Sequence, residues 1–457
     1  MSGPQNGLPA LPQGVLELIA RLERAGHPAY AVGGCVRDGL LGRPARDWDI
    51  GTAATPAQVS DLFDGDRVLP TGLPHGTVTL LLEGGPYEVT TFRMDGGYSD
   101  GRHPDRVTFV PELLPDLARR DFTVNAMALH PERGLIDPFG GRADLAAGLI
   151  RCVGEPRDRF AEDALRILRA LRLAAELGFA VEDHTAKAAL AQAESLCRVS
   201  PERLREELTR LLCGDHAAPV LARFAPILFT LIPELAPTVM QRQNTPHHHL
   251  DVWTHTLETL RNIPAEPALR LTMLLHDVGK PACRFTDAEG RDHFRGHAEA
   301  GLRMADRVLR RLRYENDTRE QVLRLIRHHD LHTPPELPAV RRMLNRLGEP
   351  ALRQLLLVQR ADIMGKNPVG LADKLARIDG VEARLEQILA ERLCWRRADL
   401  AVGGRELIAA GHRPGPALGA LLDAMLHEVM AGRLPNEPQA LLAWAGRPGG
   451  PLERPGP

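Results

Sequence analysis

Hydrophobic and polar residues alternate in two different ways along the chain. From Tyr30 to about Pro138, short apolar runs are separated by turns rich in Gly and Asp, which predicts β-strands with a helix or two between them. From about Asp158 onward, apolar residues recur at helical spacing, as in AEDALRILRALRLAAELGF and SPERLREELTRLL, and predict an almost wholly helical remainder. The pattern therefore predicts an α/β head followed by all-α domains.

A chain of 457 residues is too long for a single hydrophobic core, so we expect several domains. The change of pattern and the proline-bearing stretches in the middle of the chain predict where these domains divide. The expected segments are a flexible N-terminus (1–28), the α/β head (29–150), a helical neck and body (151–245), a His-rich helical domain (246–375), a helical tail (376–446) and a disordered Pro/Gly-rich end (447–457).

Composition narrows the class of protein. The chain is 44% hydrophobic and 25% charged, and it has no apolar run approaching the roughly 18 residues that a membrane helix needs. Its first residues do not read as a signal peptide, and its six cysteines are scattered without a CxxC pair. We therefore expect a cytoplasmic protein. The net charge of −2 provides no global attraction to nucleic acid, so any RNA contact must come from local patches.

The carboxylates of Asp47 and Asp49 are the first candidates for chemistry. Residues two apart on a β-strand point to the same face, where both carboxylates can bind Mg²⁺. Nucleotidyl transfer needs that arrangement, because metals held by carboxylates activate the attacking hydroxyl and neutralise the departing pyrophosphate. An isolated Asp-x-Asp pair, however, is more often a turn or a solvated edge.

Support for a catalytic site lies upstream in the segment GGCVRD. Gly33 and Gly34 follow an apolar stretch and let the backbone approach a triphosphate closely, and Arg37 supplies a forked donor for its oxygens. The alternative is a plain Gly-Gly turn with a surface arginine. The Asp-x-Asp pair that follows about ten residues later favours the catalytic interpretation.

This combination resembles motif A of the polymerase-β-like superfamily, in the branch of class II CCA-adding enzymes and bacterial poly(A) polymerases. Four further segments match that family in the same order: RRDFTVNAMA (119–128), IDPFGG (136–141), EDALR (162–166) and a neck helix (200–212). On these five matches the chain is identified as a member of the family.

The resemblance implies a tRNA nucleotidyltransferase that adds CCA to the tRNA 3′ end without a template, using CTP and ATP, with no membrane or protein partner. It implies that Asp47 and Asp49 are catalytic and hold Mg²⁺. The residues implied to bind the nucleotide are Gly33, Gly34, Arg37, Arg120, Asp163, Arg166, Arg169 and Arg172. Residues 88–104 look like the loop with which the family switches from C to A, and the tail (376–446) resembles its tRNA-binding domain.

An enzyme without a template must read the incoming base itself. Asp163 can accept a hydrogen bond from the exocyclic amine of cytosine or adenine, and Arg166 can donate to a ring acceptor. At i and i+3 on a helix the two side chains would face the same way, and Arg169 and Arg172 would continue the stripe. A salt-bridged, solvated helix face is the usual meaning of such a run, but the family match favours base recognition.

A second constellation lies in the His-rich domain. Imidazole and carboxylate groups from several helices can hold a divalent metal inside a bundle. The candidates, in chain order, are His255, His276, Asp277, His297, His329 and Asp362. They resemble the site of an HD-domain metal-dependent phosphohydrolase.

That second resemblance implies that His255, His276, Asp277 and Asp362 bind an unidentified divalent metal, with His297 and His329 as candidates for a second one. A metal-bound water would attack a phosphate ester, such as a cyclic or terminal phosphate on a damaged tRNA end. Alternatively, the metal serves only structure or regulation. The triplet 247–249 (HHH) is interpreted as exposed and incidental.

Three alternatives to a CCA-adding enzyme stay open. The chain could add only the final A to tRNA. It could be a poly(A) polymerase, although that branch typically carries a basic C-terminal extension and no HD block. From a different class, it could be an HD-type nucleotide phosphohydrolase with a silent transferase head.

Overall fold

A computed structural model of the chain describes residues 8–45, 47–64, 67–82, 85–98, 105–239 and 250–447. The chain divides into two compact units. The first consists of the residues up to 236 together with 311–313, and the second consists of 237–310 and the residues from 314 onward. Among the described residues, we find no helix that combines the length and the apolar character needed to span a membrane.

The first unit begins with a mixed α/β region. Its elements, in chain order, are α1 (Gln13–Arg24), β1 (Ala29–Val32), α2 (Gly34–Leu40), β2 (Asp49–Thr52), α3 (Pro56–Leu62), β3 (Arg67–Gly72), β4 (Thr77–Leu82), β5 (Gly85–Thr91), β6 (Arg93–Gly96), β7 (Arg106–Phe109), α4 (Leu113–Ala118), β8 (Ala128–His130), β9 (Gly134–Ile136) and α5 (Gly141–Ala147).

Seven of these strands form one sheet in the order β3-β4-β5-β2-β1-β8-β9. Strands β2 and β5 run parallel, and the other neighbouring strands run antiparallel. Strands β6 and β7 form a separate antiparallel hairpin. The mixed sheet confirms the α/β head that the short apolar runs predict.

The rest of the first unit is mostly helical. Its elements are β10 (Leu149–Ile150), α6 (Pro156–Glu162), α7 (Leu165–Leu177), β11 (Ala180–Val181), α8 (Asp183–Ala191), α9 (Pro201–Leu212), α10 (Ala217–Arg223) and α11 (Ala225–Leu231). Helix α7 is buried along most of its length and packs against α9 and α10. Ser200 is the N-cap residue of α9 and Pro201 its first residue, as the Ser-Pro pair predicts.

The second unit is almost wholly helical, as the periodicity predicts. Its elements are α12 (Val252–Arg261), α13 (Pro267–Leu275), α14 (Lys280–Cys283), β12 (Phe285–Thr286), β13 (Asp292–His293), α15 (His297–Arg311), α16 (Asn316–His328), α17 (Leu337–Leu347), α18 (Glu349–Met364), α19 (Leu371–Ala390), α20 (Gly404–Ala409), α21 (Pro416–Met430) and α22 (Pro438–Ala445). Every residue of α13 from Ala268 to Leu275 is buried, because this helix packs against α12, α16 and α18.

Two local predictions differ from the structure. Residues 13–24, expected within a flexible N-terminus, form α1, since Val15, Leu18, Ile19 and Leu22 lie on one helical face and are buried. The segment expected to be one helix through residues 161–179 is interrupted at Asp163, which has extended backbone angles. The Asp163 carboxylate accepts a hydrogen bond from the amide of Leu165 (3.1 Å), and such local bonds compete with the helical ones.

The expected switching loop is described only in part. Residues 88–91 belong to β5 and residues 93–96 form β6, whereas residues 99–104 lie outside the described residues. The histidine triplet 247–249 and the C-terminal residues from 448 onward also lie outside them.

The glycine that begins α5 is required by a close approach of two backbone segments. A Cβ on Gly141 would lie 2.9 Å from the carbonyl carbon of Thr123 and 3.0 Å from Cγ of Met127. Because one of these neighbours is backbone, the chain itself would have to move. This explains the second glycine of the DPFGG segment.

We predict that Gly141→Ala lowers the free energy of unfolding by about 2 kcal/mol, because the added methyl group overpacks this contact. Urea unfolding followed by circular dichroism measures the change. Gly96→Ala is the matched control, since its Cβ would meet only ordinary contacts at 3.7 Å or more. Equal losses in the two variants would contradict the steric explanation.

Candidate functional site

The predicted catalytic carboxylates lie at the start of β2. Asp49 is the first residue of that strand, half-buried, and Asp47 precedes the strand and is exposed. On one side Asp49 pairs with Val32 of β1, and on the other side it lies in register with Glu88 of β5. Glu88, predicted only as part of a loop, is therefore a third carboxylate beside Asp47 and Asp49.

The electrostatics of Asp49 indicate a place for a cation. Burial raises the pKa of the Asp49 carboxyl, and the nearby charges of Glu88 and Asp47 raise it further, while Arg120 opposes them. Carboxylate oxygens are the ligands that Mg²⁺ prefers, so the donor set fits this metal. Among the described residues, the carboxylate oxygens of Asp47, Asp49 and Glu88 do not form a group in which all lie within 4.8 Å of one another.

The paired glycines bring the backbone against this charged group. Gly33 has a φ of 83°, and a Cβ there would lie 2.7 Å from Nη1 of Arg120 and 3.7 Å from Oδ2 of Asp49. A side chain at this position would therefore displace the arginine. Gly34 begins α2, one turn before Arg37. The structure thus brings Gly33, Arg120 and Asp49 together at the end of β1.

The guanidinium of Arg37 is held by Asn125, a residue of the RRDFTVNAMA segment for which no role was predicted. Its Nη1 donates to Oδ1 of Asn125 (2.7 Å), and Asn125 donates through Nδ2 to Oδ1 of Asp121 (3.1 Å). The other oxygen of Asp121 lies 2.9 Å from Nη2 of Arg169. A chain of side-chain contacts therefore connects α2 to α7 through the RRDFTVNAMA segment.

The structure corrects the premise that Asp163 and Arg166 share a helical face. Asp163 lies in the break between α6 and α7, where Nη2 of Arg203 donates to it at 2.7 Å. Arg166 is buried on α7 and donates to Glu162 (2.5 Å) and to the carbonyl oxygen of Arg119 (3.1 Å). Each side chain thus has a partner within the protein.

The next two arginines on α7 are also engaged. Arg169 contacts Asp121, as described above, and its side chain is 38% exposed. Arg172 is buried and donates to Glu207 of α9 (2.6 Å) and to Glu176 (3.0 Å). These ion pairs give Arg172 a role in packing α7 against α9.

In the second unit, the structure brings together all six predicted metal ligands. His255 on α12, His276 at the end of α13 and Asp277 form one triad, whose ligand atoms lie within 4.8 Å of one another. Asp362 on α18 adjoins it, with Oδ1 3.0 Å from Nε2 of His255. The Nε2 atoms of His255 and His276 are 3.3 Å apart.

A second triad shares one residue with the first. Asp277, His297 and His329 also place their ligand atoms within 4.8 Å of one another. Oδ2 of Asp277 faces His276 (3.1 Å), whereas Oδ1 faces His297 (3.6 Å) and His329 (3.8 Å). One carboxylate can therefore serve two adjacent cations.

The histidine tautomers fit a metal centre. In each of the four rings Nδ1 lies within hydrogen-bonding distance of a backbone carbonyl oxygen, and a carbonyl can only accept. Each Nδ1 therefore donates, and each Nε2 faces the cluster, where it can bind a metal or carry a proton. Lone pairs of His255 and His276 that face each other at 3.3 Å need a proton or a metal between them.

Charged groups surround this cluster. Burial lowers the pKa of His276, but the adjacent Asp277 outweighs that effect and brings the pKa to about 9. Two lysines for which no role was predicted contact the carboxylates. Nζ of Lys280 lies 2.7 Å from Asp277, and Lys366 pairs with Asp362. A lysine three or four residues after each carboxylate is the signal that could have identified them.

Three family models match the chain. The model of the poly(A) polymerase head domain matches residues 29–151, that of the RNA- and SrmB-binding site of polymerase A matches residues 178–237, and that of tRNA nucleotidyltransferase domain 2 matches residues 300–445. The CCA-adding enzyme of Lactiplantibacillus plantarum is 36% identical over 442 residues, which cover 96% of this chain and 97% of that relative.

Two solved structures of CCA-adding enzymes are similar to this chain over nearly its whole length. The crystal structure of the Bacillus stearothermophilus CCA-adding enzyme in complex with CTP has a TM-score of 0.70 and 31% identity, covering 95% of this chain and 96% of that one. The Thermotoga maritima CCA-adding enzyme complexed with tRNA has a TM-score of 0.59 and 22% identity, covering 94% and 93%, which is a similarity of fold.

We predict that Asp121→Asn lowers the free energy of unfolding by about 2 kcal/mol, because it removes the buried charge that pairs with Arg169. Burial raises the pKa of Asp121, but Arg169 and the local hydrogen bonds hold it below the ordinary value. The carboxylate therefore stabilises the fold above its unfolded-state pKa, and wild type and variant should converge as the pH falls below that value.

The exposed pair of Asp183 with Arg223 supplies the control for this measurement. The Asp183 side chain is 85% exposed, so Asp183→Asn should change the urea midpoint little. If the Asp121→Asn variant unfolds with the same free energy as the wild type at neutral pH, the buried network does not stabilise the fold.

Proposed function

The chain belongs to the family of class II CCA-adding enzymes and poly(A) polymerases, and we propose that it is a tRNA nucleotidyltransferase that adds C, C and A to the tRNA 3′ end. The observation that carries the proposal is the meeting of Asp49, Glu88, Gly33 and Arg120 at one end of the sheet. The relatives named CCA-adding enzymes support this assignment over nearly the full chain, and one of them is described in complex with CTP.

In this proposal Asp47, Asp49 and Glu88 hold Mg²⁺. When bound, the metal would supply Lewis-acid stabilisation of the triphosphate and of the attacking 3′-hydroxyl. Arg120, next to Gly33, and Arg37 bind phosphate oxygens, and the missing side chains at Gly33 and Gly34 let the triphosphate approach the backbone. The transferred α-phosphorus forms a bond to the 3′-oxygen of the tRNA, and the bond to pyrophosphate breaks.

Base selection in this proposal requires an exchange of partners. Asp163 would leave Arg203 to accept from the exocyclic amine, and Arg166 would leave Glu162 to donate to a ring acceptor. Because both groups already carry partners, a base that satisfies only one of them leaves a charge unpaired. Arg169 and Arg172 border this region, and the tail (376–446) would bind the tRNA body.

We predict that Asp47→Ala and Asp49→Ala abolish nucleotide addition, and that Glu88→Gln lowers it roughly 10- to 100-fold, because each removes a metal ligand. The assay uses tRNA transcripts that lack CCA, lack only the final A, or are complete, with CTP, ATP and Mg²⁺. Asp61→Ala, an exposed carboxylate on α3, is the control.

The products distinguish the alternatives. Growth of the CCA-less transcript that stops after CCA supports the proposal. Extension only of the transcript that lacks A would indicate an A-adding enzyme, and a ladder of A on arbitrary RNA would indicate a poly(A) polymerase. Full addition by Asp47→Ala would refute the site assignment.

A second activity is favoured by two triads that share Asp277 and are buried except for the half-buried His297. The HD cluster consists of both triads and the adjoining carboxylate: His255, His276, Asp277, His297, His329 and Asp362. We propose that the HD cluster holds divalent metal and hydrolyses a phosphate ester such as a 2′,3′-cyclic phosphate on an RNA end. When bound, the metal would lower the pKa of a ligated water. The water oxygen forms a bond to phosphorus, and the bond between phosphorus and one ribose oxygen breaks. That ribose oxygen takes the proton that the water loses. Lys280 and Lys366 are placed to bind phosphate oxygens.

We predict that His276→Ala abolishes the ring-opening hydrolysis of a 2′,3′-cyclic phosphate and lowers the amount of bound Mn²⁺, because it removes one ligand from the first triad. Nucleotide addition should persist in this variant, which also reports that the chain is folded. His184→Ala, an exposed histidine on α8, should leave both properties unchanged. Mn²⁺ binding equal to that of the wild type would rule out the ligand assignment.

A further inference from the structure

A short β-hairpin that the sequence did not predict lies beside the HD cluster. In it Phe285 of β12 pairs with His293 of β13, and Thr286 pairs with Asp292. Asp292 is buried and accepts hydrogen bonds from Oγ1 of Thr286 (2.7 Å) and from Nε of Arg284 (3.0 Å). These contacts hold the hairpin in one conformation.

The opposite face of the hairpin carries an exposed ring, that of Phe285, and a half-buried ring, that of His293. The Phe285 residue is 67% exposed, and its ring centre lies 6.5 Å from that of His293, with 33° between the ring planes. Nε2 of His293 is 2.6 Å from Oδ2 of Asp287, which fixes the imidazole. A rigid hairpin thus presents an aromatic face to solvent.

One ring of this face, that of His293, lines the cavity of the HD cluster. His293, Phe294 and Arg295 line the same cavity of about 350 Å³ as the ligands Asp277, His297, His329 and Asp362. Lys280 and Lys366 also line it, and Nζ of Lys280 lies 5.6 Å from the ring centre of Phe294. The cavity therefore combines the predicted metal ligands and two cationic side chains with the rings of His293 and Phe294.

We propose that Phe285 and His293 form a stacking platform for the base of a nucleotide whose phosphate lies among the HD ligands and lysines. Cationic side chains and metals bind the phosphate, and aromatic rings stack on any base without a hydrogen-bond code. The platform gives the site a preference for nucleoside phosphates over other phosphate esters. The inference rests on the proposed phosphohydrolase function of this cluster.

The test measures stacking directly. The full chain with Mn²⁺ is mixed with a short RNA that ends in 2-aminopurine and a hydrolysis-resistant 3′-phosphorothioate, and in a second arm with the corresponding mononucleotide. Stacking quenches the fluorescence of 2-aminopurine. Phe285→Ala should abolish the quenching and weaken binding on the order of tenfold, whereas Phe285→Tyr should retain both. Ile408→Ala, which removes an exposed apolar group from α20, is the control and should behave as wild type.

Glycerol 2-phosphate has no base that could stack on the platform. Its hydrolysis therefore distinguishes an effect on base binding from an effect on hydrolysis itself. Wild type and Phe285→Ala should release phosphate from it equally, and His276→Ala should not. A Phe285→Ala variant that also loses this hydrolysis would show a structural role, and one that quenches and binds like wild type would show that no platform exists; either result overturns the inference.

The two proposals fail in different ways. Quenching that depends on Phe285 without any hydrolysis by the wild type would support the platform and refute the phosphohydrolase. Tighter binding of the RNA than of the mononucleotide would identify an RNA end as the source of the nucleotide, and equal binding would identify a free nucleotide.

Discussion

A carboxylate removed from water must be paired, and this constraint at Asp121 organises the predicted transferase site. Its Oδ1 accepts hydrogen bonds from the amide of Phe122 (2.9 Å) and from Asn125, and its Oδ2 contacts Arg169. Because Asn125 also accepts from Arg37, the buried charge holds the arginine of the glycine turn in a fixed relation to α7. The alignment of the sheet with the helix that bears the predicted base-reading residues depends on this contact.

The two candidate sites gather negative charge in different ways. In the head, Asp47 and Glu88 are exposed and Asp49 is half-buried, so the carboxylates stay open to a large, charged substrate. In the second unit, the predicted ligands are buried except for the half-buried His297, and their imidazoles are oriented by backbone carbonyl groups. An open carboxylate group suits a metal that arrives with a nucleotide, and an enclosed set of imidazoles suits one that resides in the protein.

Much of the architecture could be predicted from local patterns. Short apolar runs separated by turns rich in Gly and Asp indicated the strands of the head, and helical periodicity indicated the remainder, because both patterns reflect the burial of a local element. The six histidine and aspartate candidates of the second unit include the members of both triads. Helix α1 was missed although Val15, Leu18, Ile19 and Leu22 have helical spacing, because the polar, Gly- and Pro-containing residues before it obscured the pattern.

The sequence by itself determined the family, through motifs in a fixed order, and the residue types from which each site is built. Only the tertiary structure decided which of these residues are neighbours. Glu88 joins Asp49 because β2 and β5 pair in parallel. Phe285 lies beside His293, which lines the cavity of the histidine and aspartate cluster, because a hairpin pairs these two residues. Asp163 leaves the helix because its carboxylate bonds to a nearby amide and to Arg203. Strand pairing and the partners of buried charges depend on distant residues, which no local periodicity contains.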